Sequence, residues 1–273
     1  MKNAQHLCEL LSPIDPEEAM DLVRDDRYAM QVKEDGFRLL VDSTGGGRYG
    51  FDRQNQITAI PRQVFPQLEG LLPDTRIDGE LVDGTYVAWD ILRWMDEDVR
   101  GLPYHERLEL LEQQDVNLVP TWHGESRKAA ELVRLHDAGA EGVCFKDLLA
   151  VWQPGRAQQH FKLKFWESAT CRVADKTLRE DARPEKHSIA LELLDGMSWM
   201  PMGFVTIPNA TALPPIGALV EVRYLYAQTD GLYQPVFLGA RPDIEEAACS
   251  LAQLKWKRTR GSYVSGPGAA LSC

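Results

Sequence analysis

The chain has 273 residues, of which 44% are hydrophobic and 26% charged, with a formal net charge of −11. That is the composition of a folded globular protein with room for two domains. No apolar run approaches the roughly 20 residues that span a bilayer, and the first residues lack a secretory signal pattern, so a cytoplasmic protein with no membrane partner is expected.

The five cysteines (Cys8, Cys144, Cys171, Cys249, Cys273) form no CxxC pair, which argues against a zinc site and a disulfide framework. The acidity argues against a nucleic-acid partner, but it is uneven. Residues 1–167 hold 19 Lys and Arg against 30 Asp and Glu, whereas 168–273 hold 11 of each. The run from Lys255 to Arg260 is locally basic. Screening limits the reach of distant charge to about 8 Å at physiological salt, so such a patch binds phosphates even in an acidic chain.

Pro16 to Arg24 reads as an amphipathic helix with Asp15 as N-cap and acids in its first turn. A strand follows at Tyr28–Val32 and returns through Leu39–Val41 to the Gly45-Gly46-Gly47 turn. No helix start or Gly-Lys-Ser/Thr follows those glycines, so they make a hairpin and not a phosphate loop. Pro61–Leu72 reads as helical, Thr75–Leu81 and Tyr86–Leu92 as strands. Leu102–Gln113 and Ser126–Ala138 read as helices, the latter capped by Ser126 and closed by Gly139. Gly142–Phe145 is a buried strand. Phe161–Phe165 alternates, placing Lys162 and Lys164 on one face.

From residue 168 the texture changes to short strands broken by Asp195-Gly196, Pro214-Pro215 and Asp230-Gly231 turns, which suits a small Greek-key barrel. Residues 244–257 read as a closing helix, and the Gly- and Ser-rich end as a frayed tail.

The chemistry concentrates in an ordered set of short segments. These are Lys33-Glu34-Asp35-Gly36-Phe37-Arg38, Asp78-Gly79-Glu80, Trp89-Asp90, Glu141-Gly142-Val143 and Lys162-Leu163-Lys164. Singly, each reads as ordinary solvated surface. Together they supply an amine nucleophile, carboxylates for a divalent cation and cations for phosphate oxygens. A lysine amine with a free pKa near 10.4 must lose its proton to attack, and neighbouring cations and burial are expected to lower its pKa. No Walker A, GxGxxG or HExxH pattern competes.

These segments resemble the motifs of the covalent nucleotidyltransferases, the superfamily of ATP-dependent DNA ligases and mRNA-capping enzymes. Lys33–Arg38 resembles motif I (KxDGxR), Asp52-Arg53 motif Ia, Val87–Leu92 motif III, Glu141–Val143 motif IV, Phe161–Lys164 motif V and Arg241-Pro242-Asp243 motif VI. Ile244 stands where the family usually carries a basic residue.

The resemblance implies an α+β protein: a nucleotidyltransferase (adenylation) domain of antiparallel sheets with flanking helices at 1–167, a small all-β OB-fold barrel with a C-terminal helix at 168–258, and a flexible tail at 259–273. It implies that Lys33 attacks the α-phosphate of ATP, that AMP passes to the 5′-phosphate of a nick in duplex DNA, and that the 3′-OH then displaces AMP.

Gln31, Val32, Arg38, Arg53, Glu80, Trp89, Glu141, Lys162, Lys164 and Arg241 are its implied nucleotide-binding residues. Glu80 and Glu141 are the ligands for Mg²⁺ or Mn²⁺. Gln31 replaces the glutamate usual in DNA ligases. With motif I about thirty residues from the start, a minimal, monomeric ligase is expected. The alternatives are an RNA ligase, a capping-type guanylyltransferase or, more distantly, a non-catalytic nucleic-acid-binding protein.

Overall fold

The computed structural model describes residues 8–178, 187–209 and 211–264. The chain divides into two compact units. Residues up to Lys164 form the first together with the segment returning at Arg258, and Phe165–Lys257 form the second.

The first unit runs β1 (Glu9–Pro13), α1 (Pro16–Arg24), β2 (Tyr28–Val32), β3 (Phe37–Thr44), β4 (Gly47–Phe51), β5 (Ile57–Thr58), β6 (Thr75–Val82), β7 (Thr85–Trp94), β8 (Glu97–Asp98), α2 (Tyr104–Glu112), β9 (Thr121–Trp122), α3 (Glu125–Asp137), β10 (Gly142–Asp147) and β11 (Gly155–Lys164). Two sheets result, ordered β1-β11-β10-β2-β9 and β5-β4-β3-β6-β7-β8. One pairing departs from the expected antiparallel pattern: β1 runs parallel to β11. A parallel pair needs a long crossover, and here nearly the whole unit lies between the two strands.

Local signals explain most elements. Asp15 and Glu18 form a reciprocal capping box at α1, satisfying donors that the first turn leaves orphaned. Gly45 and Gly46 take φ of 60° and 76° in the tight turn joining β3 to β4, a conformation glycine reaches without strain. The helix expected over Pro61–Leu72 is a seven-residue 3-10 segment, Arg62–Leu68, with Pro66 inside it. Proline lacks the donor that an α-helix needs there. The N-cap of α3 is Gly124 and not Ser126, and no side chain caps that end.

One face of the six-stranded sheet is packed by Leu39, Val41, Ile77 and Ile91 against Val64, Leu68, Leu108 and Leu111. Beneath α2, Arg107 forms a bidentate pair with Asp90 at 2.8 and 2.9 Å, the two side chains 0% and 2% exposed. Removing one partner of such a pair strands a buried charge. Arg107→Ala is expected to cost about 3–5 kcal/mol, read as a lowered denaturation midpoint. An unchanged midpoint would show that the pair carries no such weight.

The second unit contains β12 (Glu167–Leu178), β13 (His187–Asp195), β14 (Ser198–Ile207), β15 (Leu219–Tyr224), β16 (Ala227–Gln228), β17 (Gly231–Leu232) and β18 (Val236–Ala240). Five of these form an antiparallel sheet in the order β14-β13-β12-β15-β18, curled around Val173, Ile189, Leu191, Val205, Val222 and Tyr224.

The helix expected over 244–257 does not form. Two three-residue 3-10 turns, Glu246–Ala248 and Leu251–Gln253, stand in its place. Backbone groups there are committed elsewhere: Leu194 N donates to Cys249 O at 2.6 Å, Ala227 N to Lys255 O at 2.7 Å and Lys257 N to Ala227 O at 2.9 Å. Tertiary pairing has overridden local helix propensity.

The expected tail is likewise structured in part. Arg260–Val264 forms a short helix, α4, which belongs to the first unit. The remainder of that tail, from residue 265, lies outside the described residues. None of the helices in the described residues is long and apolar enough to cross a membrane.

Candidate active site

The two sheets of the first unit face a cleft of about 220 Å³, lined by Gln31, Val32, Lys33, Arg38, Arg53, Glu80, Trp89 and Lys162 among others. Strand register sets the arrangement. On one wall Gln31 pairs with Cys144, which pairs with Lys162. In the next row Lys33 N donates to Gly142 O at 2.9 Å, and Gly142 pairs with Lys164. Side chains in register share a face, so Lys33, just past the end of β2, and Lys162 and Lys164 of β11 come to neighbouring positions across β10. Gly142 is required by close approach: a Cβ there would sit 2.0 Å from Leu163 O. On the other wall Arg38 of β3 lies opposite Glu80 of β6.

Glu141 organises the first wall. It accepts hydrogen bonds from Lys33 Nζ and pairs with Lys164 Nζ at 3.0 Å, its side chain 3% exposed. The expectation that its surroundings lower the pKa of Lys33 is not met. Burial pushes the amine down, but Glu141 pulls it further up and the net direction is upward. The resting amine is therefore an ammonium. Lys162 is shifted down, first by burial and then by Lys33 and Lys164. Its side chain makes no hydrogen bond or ion pair among the described residues, and the residue lines the cleft, as a phosphate ligand must.

Glu80 is pushed up to about 7 by burial, against the pull of Lys33 and Arg38. Arg38 is held by Asp78 and by Glu9 O at 2.7 Å, and its guanidinium lies 5.5 Å from the centre of the Trp89 ring, within cation–π range. Arg53 is an exposed residue at the rim of the cleft.

The glutamine at position 31 has a physical reason. Its Nε2 donates to Tyr104 Oη at 2.8 Å and Thr121 Oγ1 at 3.0 Å. Both hydroxyls spend their own protons elsewhere, on Trp89 O and Val119 O. Each needs a donor from residue 31, which an amide supplies and an ionised glutamate does not.

No cluster of three or more metal-binding side chains occurs among the described residues. Glu80 and Glu141 remain compatible with a hard cation, because Mg²⁺ is commonly held by one or two carboxylates with substrate phosphates and water completing the shell. Both carboxylate oxygens of Glu141 are engaged by lysines, so it would have to exchange a lysine for the cation.

Arg241 lies in the second unit, where it pairs with Glu221 at 2.9 Å and Asp243 at 3.0 Å. Glu9, Lys146 and Arg156, which are not among the site residues the sequence implies, also line the cleft. Glu9 and Lys146 pair at 3.3 Å, both nearly buried.

No family model matches the chain. Its fold matches that of Lig E, a DNA ligase with a minimal scaffold, with a TM-score of 0.66 and 17% identity over 85% of this chain and 98% of that one. The chain has the fold of ATP-dependent DNA ligases. A mycobacterial DNA ligase D complexed with ATP superposes with a TM-score of 0.54 and 19% identity, over 91% of this chain and 99% of that one.

Among curated relatives, DNA ligase C2 of Mycolicibacterium smegmatis is 30% identical over 122 residues, 42% of this chain and 34% of that protein. The mRNA-capping enzyme of Caenorhabditis elegans is 23% identical over 112 residues, 36% of this chain and 18% of that protein. The chain thus spans a third or less of the length of the curated relatives it matches.

Proposed function

We propose that this protein is an ATP-dependent DNA ligase that seals 3′-OH/5′-phosphate nicks in duplex DNA through a covalent lysyl-AMP intermediate. One observation carries the reading. Lys33 lines one cleft with Glu80 of β6 and Lys162 of β11, its amine held by Glu141, which Lys164 also pairs, within a fold shared with minimal DNA ligases.

The residues divide the work. Lys162 and Lys164 face the phosphates and offset the charge that builds as pyrophosphate leaves. Glu141 aligns the amine and is the first acceptor on the path of its proton. Trp89 packs on the base and Gln31 stands two residues before the nucleophile, at the base end of the cleft. Arg53 suits bidentate grip on phosphate oxygens, and Arg38 would have to exchange Asp78 for them. Arg241 would leave Asp243 and Glu221 for the pyrophosphate. A magnesium or manganese ion held with Glu80 and Glu141 would supply charge neutralisation at the α-phosphate.

We assign it a cytoplasmic, monomeric role in DNA repair or replication, with nicked duplex DNA as partner. The choice of DNA and ATP accords with the DNA binding studied in Lig E and the ATP complex of ligase D.

The test is sealing of a labelled nicked duplex with ATP and Mg²⁺. Sealed product that depends on both supports the proposal. An adduct with GTP and not ATP, with no sealing, would point to capping-type chemistry, the reading that the similarity to a capping enzyme favours.

A further inference from the structure

The nucleophile opens a short loop. Residues 33–36 join β2 to β3 without belonging to either strand. On its inner side the loop is pressed against β6, for a Cβ on Gly36 would lie 2.2 Å from Leu81 O. Glu34 is one polar anchor of the loop, its side chain 1% exposed. A carboxylate so placed needs a partner, because an unpaired buried charge is costly.

The partner comes from the far end of the chain. After the second unit, the backbone returns at Arg258 and forms α4 on the first unit. Arg260 Nε donates to Glu34 Oε1 at 2.9 Å, and the Tyr263 hydroxyl donates to Glu34 Oε2 at 3.5 Å. The return segment is itself fastened: Arg260 N donates to Asp83 Oδ2 at 3.1 Å, and Arg134 Nη1 donates to Tyr263 O at 2.6 Å. Tyr263 is 4% exposed. Arg258 packs so closely over Gly139 that a Cβ there would meet its Cγ at 2.9 Å.

We propose that Arg260 and Tyr263 are positioning residues for self-adenylylation: the C-terminal return clamps Glu34 and so fixes the loop that aims Lys33. The inference rests on the reading of Lys33 as the nucleophile. Neither residue lines the cleft. They act by holding the adjacent side chain, and a misplacement of about 1 Å at the reacting atom can cost about a hundredfold in rate.

The experiment is single-turnover formation of the AMP adduct by the full chain across a range of ATP concentrations, for wild type, Arg260→Ala, Arg260→Lys, Tyr263→Phe and the double variant Glu34→Gln/Arg260→Ala. Arg260→Ala is expected to slow adduct formation at saturating ATP by about tenfold to a hundredfold, with the ATP concentration for half-maximal rate changed less than about twofold. Arg260→Lys, which restores a charge but not the guanidinium fork, recovers part of the rate. Glu34→Gln/Arg260→Ala is no slower than Arg260→Ala alone, since no charge is then stranded.

Wild-type rate in Arg260→Ala overturns the proposal, as does a change confined to the ATP dependence. Should Arg260→Ala fail to fold, Tyr263→Phe decides: a slower saturated rate supports the clamp and an unchanged one overturns it. Failure of the wild type to form any adduct would instead count against the underlying reading of Lys33.

Discussion

Lys33→Ala abolishes the enzyme–AMP adduct and leaves the fold intact. The rate of covalent labelling by ATP is expected to fall to background, at least roughly 10⁴-fold, as when a covalent nucleophile is removed from other enzymes. Lys33→Arg is expected to fail equally, because a guanidinium does not shed its proton at any working pH. The protein tolerates the loss for a reason visible in the geometry. Glu141 keeps its second partner, Lys164 at 3.0 Å, so truncating Lys33 does not orphan the buried carboxylate. Adduct formation and thermal midpoint, measured together, check both halves. A labelled Lys33→Ala variant would place the nucleophile elsewhere, and a collapsed midpoint would show that the Lys33–Glu141 pair has a structural role that Lys164 cannot fill.

The second large effect concerns Glu80, where activity and stability are expected to move in opposite directions. Its carboxyl is raised from an ordinary value of 4.5 to about 7, chiefly by burial. The native state therefore binds a proton that the unfolded chain has already released between those two values. Stability then falls as pH rises through that window, and the loss is complete above about pH 7. For a shift of this size the penalty is about 3 kcal/mol.

Glu80→Gln carries no such penalty. The variant is expected to be more stable than wild type at pH 8 by up to about 3 kcal/mol, with the difference vanishing near pH 4. Its adenylylation is expected to fall on the order of a hundredfold, because a ligand for the cation that would neutralise the phosphates is lost. Denaturant curves at several pH values and single-turnover labelling test the pair of effects. A variant that is less stable than wild type at pH 8, or that labels at the wild-type rate, contradicts the assignment.

Much of this site was legible in the sequence because its residues sit where strand periodicity is simple. The alternation of Phe161–Phe165 places Lys162 and Lys164 on one face, and β11 carries them so. The N-cap at Asp15 and the glycine turn before Arg48 are local devices and formed as such. What escaped were consequences of long-range contacts. Residues 244–257 have helical composition but spend their backbone donors and acceptors on β13 and Ala227. The Glu9–Lys146 pair joins residues 137 apart, and no local pattern announces it. The upward shift of Lys33 depends on Glu141 lying against it, a fact of packing and not of residue type. The return of Arg260 to Glu34 spans 226 positions, and the basic run that contains it reads equally well as a loose patch.

The account stands on the amine of Lys33 becoming the carrier of AMP, and site mapping tests that most directly. The purified protein is incubated with ATP and Mg²⁺, digested, and its modified peptide sequenced by mass spectrometry. The account predicts a single AMP joined through phosphorus to Lys33 Nζ, removed on addition of nicked DNA as sealed product appears. AMP on any other residue, or an unmodified chain under conditions where nicks are sealed, would contradict it.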